Sequence, residues 1–557
     1  MELEKAILGI DGSTDSLAWA DAHLNLGNAL SARLESDRAA NARRAIDCFN
    51  IALHSYEHLP NSDERCGLVH LALARVYASG VLDEQHTGRI HAVESAERAM
   101  ALLPRTLWPE KWADASCILA GCLQDNADVD SLRQALTLLL AAAEVCDRYR
   151  APADWAKIQT NLGGAYWALY KVGEGHFDDA LNAYRNALEL YTHDRHPQRW
   201  SSLQYNLGLL HASASDGDSA SCKVAQEHFR LALQVRDIES NPAAHLDVQS
   251  ALGKMHFKRG QWKEAHDAFE CAIAAGNTLV ERSFTSAGKR FEVGTTGDIF
   301  AMNAFCLIEC GQFEAAFITL EKGRTRLLSQ ALALAGADAK ELPEHERKEF
   351  LAARQSLREM QQSIDGRIDE SQPIGLSSDS LQIAQEHLNQ VIAEIRARFP
   401  TFLHFELPIA TMFSLAPVTG AFVAFFVTPK GGGAFVIPGN TTSLRPAHLL
   451  RLDLLTSGKV HELLFGSSAE SADGWFRYYP SIAARSDEQA WQTSLDHLCS
   501  ELWKIAIEPL FERLLALGIA ENAPVIIMPQ GRLGLLPLHA AWRLLDGQKR
   551  YLGIVMK

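Results

Sequence analysis

Basic residues are in the minority in this chain of 557 residues, which holds 53 lysines and arginines against 68 aspartates and glutamates. The formal charge of −15 argues against a nucleic-acid partner, because binding to a phosphate backbone is driven mainly by lysine and arginine. We therefore expect no nucleic acid among the partners, and basic proteins or peptides fit the charge better. With 47% hydrophobic and 22% charged residues, the composition excludes disorder and predicts several domains or a long repeat array.

A secretion signal is lacking as well. Residues Met1–Lys5 read Met-Glu-Leu-Glu-Lys, without the basic start and apolar run of a signal peptide. The ten cysteines are scattered, nine of them before Gly311, which fits the thiols of a reducing compartment better than a disulfide framework. These features predict a cytoplasmic protein.

One uncharged stretch, Leu407–Pro429, is long enough to raise the question of a membrane-spanning segment. It is interrupted by Pro408, Pro417 and Gly420, and its second half is rich in β-branched and aromatic residues. We predict two buried strands around a turn here, and no membrane association.

An internal repeat organises the first half of the chain. Six units begin at residues 19, 64, 112, 155, 200 and 245, a period near 45. In the clearer copies an aromatic residue or histidine is followed seven residues later by Leu-Gly, as Trp155 is followed by Leu162-Gly163. A second element places a small, a large and a small residue at steps of four and three, as in Ala180, Tyr184 and Ala187. Such steps put the three on one helical face, so each unit predicts an antiparallel helix pair.

This pattern resembles the tetratricopeptide repeat (TPR), with about ten extra residues per unit, most visibly between the paired helices at Leu169–Phe177. The resemblance implies an all-α superhelical solenoid over residues 1–330, including a seventh pair near Gly297–Leu328. Its concave surface would bind a protein or peptide. Trp155 and Trp200 sit at a structural position of the repeat, so we expect them to pack rather than to recognise a ligand.

Residues 331–399 form a second region, charged and strongly helical, with an interruption near Ser371–Ser380. A packed helical hairpin or spacer is the favoured interpretation, and a coiled-coil surface for a partner is the alternative.

Residues 400–557 form a third region, in which strand patterns alternate with helical ones. A strand hairpin is predicted at Ala421–Ile437, a long amphipathic helix at Glu488–Leu517 and a buried strand at Val525–Met528, which together indicate an α/β domain.

The C-terminal half has its own resemblance. The stretch Ala316–Arg324, the strand hairpin, and the segments Ile526–Leu533 and Leu536–Ala540 look like those of proteins that join TPR units to a CHAT domain of the caspase-like cysteine peptidase clan. The resemblance implies a caspase-like α/β fold. Its activity would need a His-Gly pair after one core strand and a cysteine in a Ser-Ala-Cys-like context after the next.

Neither of those catalytic motifs occurs in this chain. No His-Gly pair follows Pro400, and the only later cysteine is Cys499. The remaining candidate pair is Cys499 with His539. We expect the thiol to be buried in the amphipathic helix and the histidine to lie in a packing segment, so no catalytic residue is predicted. The domain would then be partial, attached to a TPR scaffold or sensor.

Two alternatives stay open at this point. In the first, the chain is a fragment of a TPR-gated CHAT cysteine endopeptidase whose His-Cys dyad lies beyond residue 557. In the second, it is a TPR adaptor with an unrelated α/β domain. No cofactor or metal is expected. Cys306 and Cys310, or Cys117 and Cys122, lack histidine partners at zinc-like spacing, and Gly431–Gly433 lacks the ending of a phosphate-binding loop.

Overall fold

The computed structural model describes residues 16–551 except 34–36, 82–84, 126–127, 215–218, 284–285, 335–338, 340–341, 366–374, 400–401, 403–408, 467–473, 479–487 and 546–547. The described chain is mostly α-helical, with a small mixed β-sheet near its C-terminal end. Contacts divide it into two compact units. The first contains Met1–Leu252, Ala274–Thr295 and Ala339–Phe402, and the second contains Gly253–Ile273, Thr296–Asp338 and Leu403–Lys557. The domain boundaries predicted at residues 330 and 399 stay a prediction.

Helices in the first unit follow one another as pairs, at the positions that the sequence repeat predicts. The pairs are α1 (Ser16–Ser31) with α2 (Arg38–Glu57), α3 (Asp63–Ala78) with α4 (Gln85–Leu102), α5 (Pro109–Gln124) with α6 (Val129–Val145), α7 (Pro152–Lys171) with α8 (Phe177–Leu188), and α9 (Pro197–Ala214) with α10 (Ser219–Leu233). Each of these helices packs most extensively on the other member of its pair, and first helices of neighbouring pairs also touch. The next helices are α11 (Pro242–Lys258) and α12 (Trp262–Arg282).

In four helix pairs, a glycine of the first helix packs against an aromatic ring of the second helix. A methyl group on the glycine of the first helix would lie 2.5–2.6 Å from a ring carbon of the second helix. The four contacts are Gly27 with Phe49, Gly163 with Tyr184, Gly208 with Phe229, and Gly253 with Phe269. The rings are fully or almost fully buried. The Leu-Gly signature of the sequence is therefore a packing signal, as predicted.

The extra length of each unit is not where we predicted it. Only five residues, 172–176, separate α7 from α8, whereas eight residues, 189–196, separate α8 from α9. The first helices are also long, with 20 residues in α7 and 18 in α9. The additional residues therefore lie largely in the helices and in the turns between pairs.

Trp155 packs between consecutive helix pairs. The guanidinium carbon of Arg148, in the turn before α7, lies 5.6 Å from the centre of the Trp155 ring, and Arg148 also forms an ion pair of 2.6 Å with Glu189 at the end of α8. The same arrangement occurs one pair earlier, in Arg105, Trp112 and Glu144. Trp200 instead meets the ring of His193 edge-on at 4.9 Å. These contacts agree with a packing role for the tryptophans.

The second unit contains a four-stranded sheet with the order β3-β2-β1-β4. Its strands are β1 (Ala421–Thr428), β2 (Gly431–Pro438), β3 (Leu449–Leu452) and β4 (Val525–Met528). Strands β1 and β2 form the predicted hairpin, β3 is antiparallel to β2, and β4 is parallel to β1. The prediction of a strand before the hairpin is wrong, because residues 409–413 form a short helix, α18 (Ile409–Phe413). None of the helices in the described ranges has an apolar stretch that would span a bilayer.

Helices cover both faces of this sheet. Alternate β1 residues, Val423 and Phe425 on one side and Phe422 and Phe426 on the other, enter two separate hydrophobic clusters. The first cluster is built with α19 (Ser457–Phe465), α20 (Glu488–Leu502), a π-helix (Trp503–Ile507) and α21 (Glu508–Ala516). The second is built with α14 (Gly297–Glu309), α15 (Phe313–Leu334) and α18. This is the α/β arrangement that the alternating burial of a two-sided sheet requires.

Strand β4 differs from its prediction as a buried strand. It lies at the edge of the sheet, and Ile526 in its middle is 43% exposed. The apolar run Val525–Met528 looked buried because composition alone does not separate edge from central strands. The second unit also contains 3-10 helices at Pro446–His448, Trp475–Tyr478, Gly531–Leu535 and Leu538–Ala540, and a hairpin of β5 (Trp542–Leu545) and β6 (Gln548–Tyr551).

The spacer forms the predicted helical hairpin and belongs to the first unit. Its helices, α16 (Glu344–Asp365) and α17 (Gly375–Arg398), pack against each other. Phe350 meets Phe402 edge-on at 5.2 Å, and Arg398 forms an ion pair of 2.8 Å with Glu346. Part of the predicted interruption, residues 371–374, lies outside the described residues.

We expect Gly208→Ala to lower the free energy of unfolding by about 1–3 kcal/mol, because the new methyl group would lie 2.6 Å from the Phe229 ring and overpack the pair. Gly121→Ala is the matched control. Gly121 is also helical but has no neighbour within 4 Å, so alanine should stabilise α5 by up to about 1 kcal/mol. Urea unfolding of both variants measures the difference. Equal midpoints for the two variants would contradict the glycine-on-ring assignment.

Candidate protein-binding surface

The two residues considered for catalysis lie in different environments. Cys499 is in α20 with only 4% of its surface exposed, whereas His539 is exposed on the 3-10 helix Leu538–Ala540. Burial raises the pKa of the Cys117 and Cys306 thiols to about 12. A thiol with such a pKa is protonated at neutral pH and is a poor nucleophile. The described cysteines with these shifts therefore resemble buried structural thiols.

The glycine-rich segment after Lys430 is part of the sheet. Gly431–Gly433 opens β2 and pairs with β1, and the Lys430 ammonium lies 5.0 Å from the centre of the Trp262 ring. Lys430 thus makes a cation–π contact inside the second unit. Within the described residues, the side chains of histidine, cysteine, aspartate and glutamate nowhere gather in a group of three suited to a metal ion.

The first unit contains a cavity of about 710 Å³ between α3, α4 and α5. Two arginines and one aspartate supply charge at its wall, and Gly121 leaves part of α5 without side-chain cover. The lining includes Arg75, Tyr77, Ser79, Arg89, Cys117, Gly121 and Asp125. The volume lies in the range of ligand pockets and would admit one or two side chains of a bound peptide.

A row of alternating charges links the cavity to the following helix pairs. Asp114 of α5 accepts a hydrogen bond of 2.7 Å from Arg75 of α3 and also contacts the ammonium group of Lys157 on α7. Burial, together with nearby cations, lowers the pKa of Lys157. One carboxylate therefore joins the first helices of three consecutive pairs, while Arg75 keeps more than half of its side chain exposed. Arg75 also lines the cavity, so the row of charges begins at the cavity wall.

Two histidines stack within a later helix pair, formed by α9 and α10. The rings of His211 on α9 and His228 on α10 lie 5.6 Å apart and nearly parallel, and Nδ1 of His228 is 2.7 Å from the Oε1 atom of Gln204. Burial lowers the pKa of His228 to about 4, assisted by His211 and Arg185, while Glu227 opposes the change. Burial and Arg185 also lower the pKa of His211. Both rings are therefore neutral near pH 7.

Sequence reasoning did not single out Arg75, Asp114 or Lys157, although a signal was present. Asp114 and Lys157 each follow a repeat tryptophan, Trp112 or Trp155, by two positions, so they occupy equivalent places on successive first helices. Opposite charges at equivalent positions of neighbouring repeats predict an inter-repeat ion pair.

No protein-family model and no curated protein matches this chain, so the function is argued from this surface.

Acid should destabilise the first unit through the histidine pair. The pKa of His228 is lower in the folded chain than in the unfolded chain. The contribution of His228 to the free energy of unfolding is therefore fully present above the unfolded-state pKa of about 6.5, and it is lost as the pH falls towards about 4. We expect His228→Gln to remove part of the fall in thermal midpoint between pH 7 and pH 4.5. His345→Gln, at a side chain 84% exposed on α16, is the control. An unchanged pH dependence in His228→Gln would contradict this account.

Proposed function

We propose that this chain is a protein-binding scaffold or sensor in which the helix pairs form a TPR-like solenoid. The observation that carries the proposal is the combination of the 710 Å³ cavity with the charge row formed by Arg75, Asp114 and Lys157. Stacked helix pairs supply an extended surface, and a cavity with charged side chains in its lining supplies selectivity for a peptide side chain. The ligand is a protein or peptide segment, and neither nucleic acid nor a membrane is needed for binding.

We further propose that residues 400–557 form part of a CHAT-type caspase-like domain. Support comes from the way two segments of the sequence resemblance meet. Arg324, at the end of the Ala316–Arg324 stretch, donates a hydrogen bond of 3.3 Å to the backbone oxygen of Met528, the last residue of β4. Helices on both faces of a mixed sheet are compatible with such a domain. The residues present favour binding over catalysis in this chain.

Filling the cavity should remove the binding partner. We expect Gly121→Phe to be tolerated, because nothing lies within 4 Å of that position, and to occupy the space that a bound side chain would take. The full chain is used as bait in a lysate of its source cells, with captured proteins quantified by mass spectrometry. A partner captured by the wild type should fall about tenfold or more with Gly121→Phe, equivalent to about 1.4 kcal/mol of binding free energy.

The matched control is Gln134→Phe, which adds the same ring at an exposed position of α6 outside the cavity lining. Capture should be unchanged in this variant. If every captured protein is retained equally by the wild type and both variants, the cavity is not the binding site. Loss in both variants would indicate a non-specific effect of the added ring and would also contradict the proposal.

The chain should show no cysteine peptidase turnover. A nucleophilic thiolate and a base in hydrogen-bond contact are required, and general-base catalysis is typically worth about 10²–10⁴-fold. The assay combines a peptide-library substrate with a thiol-directed covalent inhibitor, with and without a captured partner. Cleavage that is abolished by Cys499→Ala and by His539→Ala, but not by Cys310→Ala, would make that pair the active site. Such a result would overturn the assignment of this chain as non-catalytic.

A further inference from the structure

A short helix, α13 (Ser286–Thr295), leaves the order of consecutive helix pairs. It lies in sequence between α12 and α14, but it packs against α2, in the first helix pair. Its main ion pair joins Arg38 to Glu292, residues 254 positions apart. Helices α2 and α13 both belong to the first unit. The chain therefore supplies one of its own helices to a surface of the first pair.

The ion pair that holds α13 is bidentate and buried on its Glu292 side, while the Arg38 side chain is 21% exposed. Arg38 donates from Nε to Oε1 of Glu292 at 3.0 Å and from Nη2 to Oε2 at 2.8 Å, and the Glu292 side chain is only 2% exposed. The guanidinium group also lies 5.5 Å from the centre of the Phe291 ring. A planar guanidinium that meets both carboxylate oxygens and an aromatic face is a specific recognition geometry, which lysine would not reproduce.

A second contact requires a glycine in α13. The fully buried Asp37 caps α2 by accepting a hydrogen bond of 2.9 Å from the backbone nitrogen of Ala40. The same carboxylate lies against the first turn of α13, where a methyl group on Gly288 would come within 2.4 Å of its Oδ1 atom. Helix N-termini favour negative charge, so the Asp37 carboxylate is favourably placed at the N-termini of both α2 and α13. Any side chain at position 288 would disturb this contact.

The helix depends on its docking site rather than on its own propensity. Ten residues with two glycines are too few for a stable isolated helix in water. A buried ion pair adds little net stability compared with apolar packing, but removing one partner is strongly unfavourable because a charge remains buried. The surface at the start of α2 thus discriminates strongly between helices that carry the matching acid and helices that lack it.

We propose that the start of α2, at Asp37 and Arg38, is a helix-binding site for a partner protein segment with glycine, aromatic residue and glutamate at the spacing of Gly288, Phe291 and Glu292. Helix α13 is the internal occupant, and the partner segment displaces it. This inference deepens the proposed binding function by naming a second surface and its ligand class. It does not depend on the cavity at Gly121, so either proposal can fail alone.

The first test removes α13 from its site. Gly288→Ala should speed amide hydrogen exchange in α13 by about tenfold or more, because the methyl group overpacks Asp37. Gly294→Ala, in the same helix but with nothing within 4 Å, should leave exchange unchanged or slow it. If Gly288→Ala lowers the yield of folded chain, Glu292→Gln replaces it. Unchanged α13 protection in the releasing variant overturns the proposal.

The second test supplies the occupant in trans. A fluorescein-labelled peptide comprising Ser286–Thr295 should bind the Gly288→Ala chain at least about tenfold more tightly than the wild type, where the tethered α13 competes at high effective concentration. Adding Arg38→Glu should abolish binding, and a peptide with Glu292→Arg should restore it to that variant. Equal binding to wild type and Gly288→Ala despite faster exchange, or binding insensitive to Arg38→Glu, overturns the proposal.

Discussion

The close approach of a helix backbone to a buried aromatic ring is the constraint on which the helix pairs depend. At Gly163 and Gly208 the ring of the second helix occupies the space where a side chain of the first helix would start. The distance between the two helices is therefore set by the thickness of one ring. Small residues lie one turn before and one turn after each ring, such as Ala225 and Ala232 around Phe229, and they are fully buried. Because they are small, they allow the two helices to stay in close contact.

This constraint explains why part of the fold could be predicted from the sequence. A glycine, a ring and two alanines at fixed spacing report a local contact between adjacent helices, and local contacts leave periodic patterns. The hairpin of β1 and β2 was predictable for the same reason. The docking of α13 on α2 was not, because Arg38 and Glu292 are 254 residues apart and neither stands out in its own segment.

Charge has a different role in the first unit. Asp114 holds Arg75 and Lys157 on neighbouring first helices, and Glu292 holds Arg38 across a long stretch of chain. Apolar packing determines how closely helices approach, but it is tolerant of sliding and of alternative partners. Paired charges with limited exposure are less tolerant, since a shift of register leaves one of them unpaired. The ion pairs therefore select one arrangement among those that the glycine-on-ring contacts would permit, and they place exposed positive charge beside the cavity.

One further glycine-on-ring contact in the second unit has the order of the two residues reversed. Here the ring is Phe300 on α14 and the glycine is Gly323 on α15, where a methyl group would lie 2.6 Å from the ring. The neighbouring Arg324 forms an ion pair of 2.6 Å with Glu321 and reaches the end of β4. The Glu-x-Gly-Arg segment that carries part of the resemblance to CHAT proteins thus has a structural explanation in this chain. Gly323 packs against the Phe300 ring, and Arg324 connects α15 to the end of β4 at the edge of the sheet. The segment therefore has a structural role that does not require an active site.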